Sequence, residues 1–276
     1  TPGVNVQKVE TDRTYFTARG FDITNFQYDG MGMPLNGGLL VGDIDMAPYE
    51  QVDILHGANG LMSGTGNPSA TVNFVRKRPT ADTQATVSVS AGSWDKRRVD
   101  LDVSGPLTDS GNVRGRFIYA NDTGNSYLDR YSREKNILSG LLAFDLTDSD
   151  TLTVGIEDQK SNSNGASWGA LPLADANGNP IHYHSTRSNI SQPWVYWDVH
   201  TTRAFAEWEH RFENDWKSTL TLTAMEHRED TNMFYVYSNS ASATGYTGLA
   251  SKYKDDTREL DGDLSFSGPF SLGGRE

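Results

Sequence analysis

Cysteine is missing from all 276 residues, which rules out disulfides, thiolate metal centres and cysteine nucleophiles together. No stretch comes near the roughly 18 consecutive apolar residues that a membrane-crossing helix requires. That absence leaves β-strands open, because about ten residues suffice for a spanning strand and only alternate side chains meet lipid. Positive charge is also scarce: the net charge is -12, and the one dense basic cluster is Arg76-Lys77-Arg78. A nucleic-acid groove needs a clustered basic surface, so nucleic acid is not expected as a partner.

Catalytic patterns are missing as well. Gly57, Gly60, Gly64 and Gly66 form neither G-x-x-x-x-G-K-[ST] nor G-x-G-x-x-G, so they read as close-packed turns and not as a phosphate cradle. Ser63 misses the G-x-S-x-G elbow by one position. His182-Tyr183-His184 puts two imidazoles on one side of an extended segment without a third ligand nearby, which fits surface histidines better than a metal site. The start, Thr1-Pro2-Gly3-Val4, has no basic segment followed by an apolar run, so any export signal is expected either upstream or not at all. Gly273-Gly274-Arg275-Glu276 reads as a turn.

What is present falls into two parts with different patterning. Residues 1–82 are rich in Gly and show only short alternating runs, such as Gln51-Val52-Asp53-Ile54-Leu55 and Ala70-Thr71-Val72-Asn73-Phe74-Val75, which predicts a small mixed α+β unit. A break at Arg78-Pro79-Thr80-Ala81-Asp82 follows, where Pro withholds a sheet donor. From residue 83 to 276 the chain is expected to be mainly β. Eight segments alternate apolar and polar residues, with apolar faces such as Val87 and Val89, Leu101 and Val103, Leu138 and Leu142, Leu220 and Leu222, and Leu260 and Leu264. Between them stand Asp100, Asp102, Arg114, Arg116, Glu157, Glu207, Glu209, Asp261 and Asp263, so the wall is expected to be apolar outside and ionic inside.

The connectors alternate too. Compact turns at 107–112, 148–150 and 213–215 take turns with longer loops near 123–136, 163–195 and 230–255, the first loop at 92–96 being short. Short turns on one side and long loops on the other suit strands crossing an outer membrane, and aromatic residues near strand ends, Trp94, Tyr119, Trp197, Phe212 and Trp216, suit its interfaces. A soluble antiparallel barrel or propeller shares the strand alternation. A soluble β-rich hydrolase would instead show one carboxylate pair in a cleft, whereas these acids recur on one face of many strands.

Several longer motifs stand in order: Thr17-Ala18-Arg19-Gly20-Phe21-Asp22-Ile23, Tyr28-Asp29-Gly30, Tyr49-Glu50-Gln51-Val52-Asp53-Ile54-Leu55-His56-Gly57, and the run from Gly60 through Ser69-Ala70-Thr71-Val72-Asn73-Phe74-Val75 to Arg78-Pro79-Thr80. Gly92-Ser93-Trp94-Asp95, Gly105-Pro106-Leu107-Thr108 and Ser167-Trp168-Gly169-Ala170-Leu171-Pro172 continue the series. In order and spacing the chain resembles TonB-dependent siderophore receptors of the ferric-coprogen and ferric-pyoverdine group. It departs from many of them at His56, where Arg is common, and at Ser69-Ala70, where Gly-Gly is common.

The resemblance implies the C-terminal part of a plug over 1–82 and the first eight or so of about 22 transmembrane strands over 83–276. It also implies a Gram-negative outer membrane, lipid around the barrel, a ferric siderophore as cargo, and energy delivered by TonB with ExbB and ExbD. Cobalamin, haem or a glycan would be other cargoes for the same machine. No protein-bound cofactor is implied, since the iron arrives inside its chelate. Ligand contacts are expected at Trp168 and Trp197 on the barrel and at Arg13, Tyr15, Phe26, Met31, Met33 and Asn36 on the plug. Arg19, Gly20, Asp29, Glu50, Gly57, Gly64 and Asn73 are expected to shape the plug, with Arg19 bridging a carboxylate such as Asp29.

Overall fold

The computed structural model describes residues 3–33, 40–57 and 68–270, and every regular element among them is a β-strand. The first eight strands are short: β1 Val4–Lys8, β2 Arg13–Ala18, β3 Phe21–Asp22, β4 Asn25–Tyr28, β5 Met31–Met33, β6 Leu40–Val41, β7 Tyr49–His56 and β8 Ala70–Arg76. In one small sheet β2 pairs with β1, β3 and β6; the other runs β5-β4-β8-β7, with β4 and β8 parallel. The helical share of an α+β unit does not appear among the described residues.

Local chemistry sets the two tight hairpins of this N-terminal unit. Arg19 and Gly20 both take positive φ, 55° and 81°, and so do Asp29 and Gly30, at 48° and 86°. Two successive left-handed residues make the turn whose twist matches flanking strands, and Asp-Gly is among its preferred pairs. Between the sheets an apolar core gathers Ile23, Phe26, Tyr28, Tyr49, Val72 and Phe74. Phe26 stacks on Phe74 at 6.5 Å and meets Phe16 edge-on at 5.5 Å.

The remaining strands form one antiparallel sheet in chain order: β9 Gln84–Ala91, β10 Arg97–Pro106, β11 Val113–Asn125, β12 Ser132–Asp145, β13 Asp150–Asn164, β14 Tyr196–Arg211, β15 Lys217–Ser238 and β16 Tyr246–Ser267. One face carries the N-terminal unit; the other is bare and apolar, with Val89 75% and Leu260 82% exposed. Val87, Phe117, Leu138, Leu142, Ile156, Trp208, Leu222 and Leu264 share that outer face. A continuous apolar surface this open is unstable in water and calls for lipid.

Two expectations need correction. The stretch near 230–255 is mostly strand: β15 and β16 each span 22 residues and leave only 239–245 as a loop. The apolar pattern ends where the lipid-facing band ends, but backbone pairing continues above it with polar outward pairs, such as Tyr196 to Asp230 at 2.8 Å and Lys254 to Asp230 at 2.9 Å. The inner face is also not purely ionic. Ile118, Ile137, Leu141 and Phe205 are buried there, on the side covered by the N-terminal unit.

Candidate functional site

The site grows from the turn between β1 and β2, closed by the Val9 N–H donating to the Arg13 carbonyl at 3.1 Å. Its geometry brings Glu10 back onto Arg13. The Glu10 carboxylate, with no exposed side-chain surface, grips the guanidinium through two nitrogens, one of them at 2.8 Å. This pair holds Arg13 firmly in its charged form. The guanidinium lies 5.8 Å from the Trp197 ring centroid. Trp197, on β14, points inward and is nearly buried, with Val41, Val195, Val199 and Met233 around it.

The same turn is tied to the long connector 165–195. Gly169 N–H donates to Glu10 at 3.3 Å, and Ser167 N–H donates to the Thr11 hydroxyl at 3.0 Å. Asp12 accepts from Ser163 on β13 at 2.8 Å and from Thr11 at 2.6 Å. Burial nevertheless outweighs these bonds and pushes the Asp12 carboxyl above the ordinary aspartate range. Trp168 sits edge-on between Tyr235 at 5.9 Å and Tyr253 at 5.5 Å. The connector is anchored farther along by Arg187 on Asp129 at 2.8 Å and by Asn189 on the Asp129 carbonyl, also at 2.8 Å.

Arg13, Trp168 and Trp197 thus meet at the end of the sheet that carries the long connector. Tyr15 is half-buried on β2, two residues beyond Arg13. Phe26 is not a contact: it is 2% exposed in the core of the N-terminal unit, with no face left for a ligand. Met31 lies deeper, with its sulfur 3.9 Å from the Thr223 hydroxyl, well below the mouth. Met33 is the last residue of β5, opposite Phe26, while Asn36 and Gly64 fall outside the described residues. Glu10, Asp12, Tyr235 and Tyr253 were not foreseen. The odd-numbered parity that puts Glu207 and Glu209 inside on β14 also puts Trp197 inside, and the same alternation along β15 would have found Tyr235.

Below the mouth, ion pairs join the N-terminal unit to the wall. Asp45 accepts Arg98 at 2.8 and 2.9 Å and Lys135 at 2.8 Å. Burial raises its carboxyl, but these cations outweigh burial and hold it well below the usual range. Asp43 is paired with Arg133 and with Lys8, the latter at 2.9 Å. Lys77 reaches Asp102 at 2.8 Å, and Arg78 reaches Glu207 at 2.6 Å. Asp29 is held by Arg76 at 2.5 Å and Arg78 at 3.3 Å. The expected Arg19 bridge is therefore replaced: Arg19 lies in its left-handed turn, its guanidinium packed where a side chain on Gly57 would stand. Gly57 itself has φ of 96°. Asn73 accepts the Gly30 N–H at 2.9 Å, and Glu50 is exposed on β7. No cluster of three metal-ligating side chains occurs among the described residues.

The family model for the TonB-dependent Receptor Plug Domain matches residues 1–71. Over its whole length the chain is 39% identical to the ferripyoverdine receptor of Pseudomonas aeruginosa and 35% identical to the ferric-pyoverdine BN7/BN8 receptor of Pseudomonas putida. It spans 34% of each of those proteins. The crystal structure of the ferripyoverdine receptor of the outer membrane of Pseudomonas aeruginosa, bound to ferripyoverdine, superposes on all of it with a TM-score of 0.92 at 37% identity. That superposition uses 37% of the receptor chain. The chain belongs to the TonB-dependent receptors. Strands β1 to β7 and the start of β8 lie within the matched plug residues, β9 to β16 are part of a transmembrane barrel, and the bare apolar face is the one that meets the lipid of the bacterial outer membrane.

Proposed function

We propose that this chain is part of a receptor that imports a ferric siderophore, with the chelate seated at the loop end between plug and barrel. Residues 1–82 form its plug portion and 83–276 its barrel portion. The observation that carries the reading is the meeting of Arg13 from the plug with Trp197 and Trp168 from the barrel, in a chain similar throughout to receptors named for ferric pyoverdines. A siderophore surrounds Fe(III) with its own hard oxygen ligands. The protein then has to supply no metal ligand and no cofactor, only a surface for the chelate.

Arg13 suits that surface because a guanidinium donates to carbonyl and hydroxamate oxygens in a fixed plane. Trp168, with Tyr235 and Tyr253, gives an aromatic wall for the apolar parts of the ligand. Tyr15, Met33 and Asn36 complete the plug side. Gly20, Asp29, Gly57 and Asn73 shape the plug turns behind it. Import against a gradient needs work, which we assign to TonB with ExbB and ExbD acting on the plug.

Intrinsic tryptophan fluorescence of the intact receptor, titrated with several ferric siderophores, tests this. One ferric chelate should quench, its iron-free form should not, and Trp168→Ala should weaken binding about tenfold, roughly 1.4 kcal/mol. No quenching by any ferric chelate would sink the reading.

A further inference from the structure

Among the described residues, three cavities between plug and barrel wall share one bordering side chain. The largest, about 260 Å³, runs along the inner faces of β13 to β16 beside plug residues 40–44. The other two are only about 20 and 10 Å³. Arg203 lines each one; Tyr28 lines the first two, and Glu157 the first and third. The inward residues of β14 run Trp197, Val199, Thr201, Arg203, Phe205 and Glu207 from the ligand end toward the short turn after Arg211. Arg203 is thus halfway along, where a wide space gives way to narrow ones.

That change in width decides what can pass. A space needs about 10–15 Å³ to admit one water, and each water takes up about 30 Å³ in the liquid, so the upper cavity holds on the order of ten waters and each lower one at most a single water. Arg203 itself is 4% exposed. Its guanidinium lies 3.4 Å from the Tyr28 ring centroid, 3.5 Å from the Tyr49 hydroxyl and 3.6 Å from the Glu157 carboxylate. Tyr28 and Tyr49 belong to plug strands β4 and β7, whereas Glu157 belongs to the wall. The arginine is therefore a barrel residue whose position depends on two plug rings.

We propose that Arg203 is the gate residue of the import path: stacked on Tyr28 it closes the hydrated cavity below the ligand site, and displacement of β4 and β7 releases it and joins the three spaces. This rests on the import reading above. A planar cation can exchange an aromatic face for water at modest cost. Glu157 keeps the freed guanidinium on the wall, so the path opens without leaving an unpaired buried charge.

The test uses the intact receptor in liposomes, with osmotic swelling in arabinose as the readout. Arg203→Ala should swell several-fold faster than the parent protein. Arg203→Lys should fall between them, because it keeps the charge and loses the plane. Both should keep the heat-modifiable gel mobility of a folded barrel, and the Lys variant carries the test should the Ala variant not fold. Arg116→Ala, which removes a pair with Asp102 at 2.7 Å away from all three cavities, should swell like the parent. The proposal is overturned if neither Arg203 variant leaks, or if Arg116→Ala leaks as much. Swelling requires no siderophore, so a receptor that binds no ferric chelate counts against the import reading alone.

Discussion

Asp45 of the plug accepts two nitrogens of Arg98 on β10, at 2.8 and 2.9 Å, while its side chain is only 2% exposed. Lys135 on β12 adds a third contact at 2.8 Å. Among the described residues Asp45 is the most enclosed carboxylate paired between plug and wall, and removing one of its cations leaves it short of donors. Arg98→Ala should therefore loosen the plug by about 3 kcal/mol, the lower end for a broken buried pair because Lys135 remains. The check is the rate at which an external protease cleaves the plug in the folded receptor, which should rise while the barrel stays intact.

The same contact sets an acid limit. The Asp45 carboxyl is held below its ordinary value by Arg98 and Lys135 despite burial, and Asp43 is lowered likewise by Arg133 and Lys8 despite burial. A lowered carboxyl stabilises the seated plug at every pH above the free value, about 3.9, and that stability is lost as pH falls through the lowered folded values. Pepsin digestion followed from pH 4 downward should show the plug becoming cleavable, and Asp45→Asn should remove most of the pH dependence. A plug equally resistant at pH 4 and pH 2 would contradict this.

Asp12 has the opposite sign. Burial raises its carboxyl, so its contribution is fully present below the free value and declines as pH rises through the raised one. Asp12→Asn keeps an acceptor for Ser163, which is 2.8 Å from it in the parent. The variant should match or exceed the parent's melting temperature at pH 7 and lose the parent's gain on acidification, as read by thermal scans at pH 4 and pH 7.

Much of this arrangement is legible in the sequence, and the misses have physical causes. The eight barrel strands follow from period-two alternation, because lipid forces one face of each to be apolar. The upper halves of β15 and β16 are invisible to that pattern, since both faces above the lipid meet polar surroundings, as Tyr196 and Asp230 do. Phe26 was taken for an exposed contact because β4 is four residues long and is buried by parallel pairing with β8, a partner 46 residues away that no local pattern announces. Arg13 and Trp168 were named from resemblance, but Glu10, which grips the one and takes the backbone of Gly169 beside the other, carries no motif.

Gly169 holds Trp168 in place through what it lacks. Its φ is 86°, and a Cβ there would fall 2.6 Å from the Tyr235 ring. Gly169→Ala must therefore strain the backbone and push the ring aside, separating Trp168 from Tyr235 while leaving the strands paired. Affinity for the ferric chelate should drop by about the same tenfold as for Trp168→Ala, and the double variant should be little worse than either alone. Additive losses would mean that the glycine acts elsewhere.

Leu222 stands near the centre of the outer apolar face, 50% exposed, opposite Ala206 on β14. Thr219, three residues earlier on the same strand, faces inward and pairs with Glu209. If lipid covers the outer face, Leu222→Arg should cost about 2–4 kcal/mol of folding stability in vesicles, whereas Thr219→Arg gains a carboxylate neighbour and should cost little. Urea titration of both variants, scored by the gel mobility of the folded barrel, separates the two positions. Equal tolerance at 222 and 219 would place water against both faces of the sheet, and neither a lipid-facing wall nor a plugged interior would then follow.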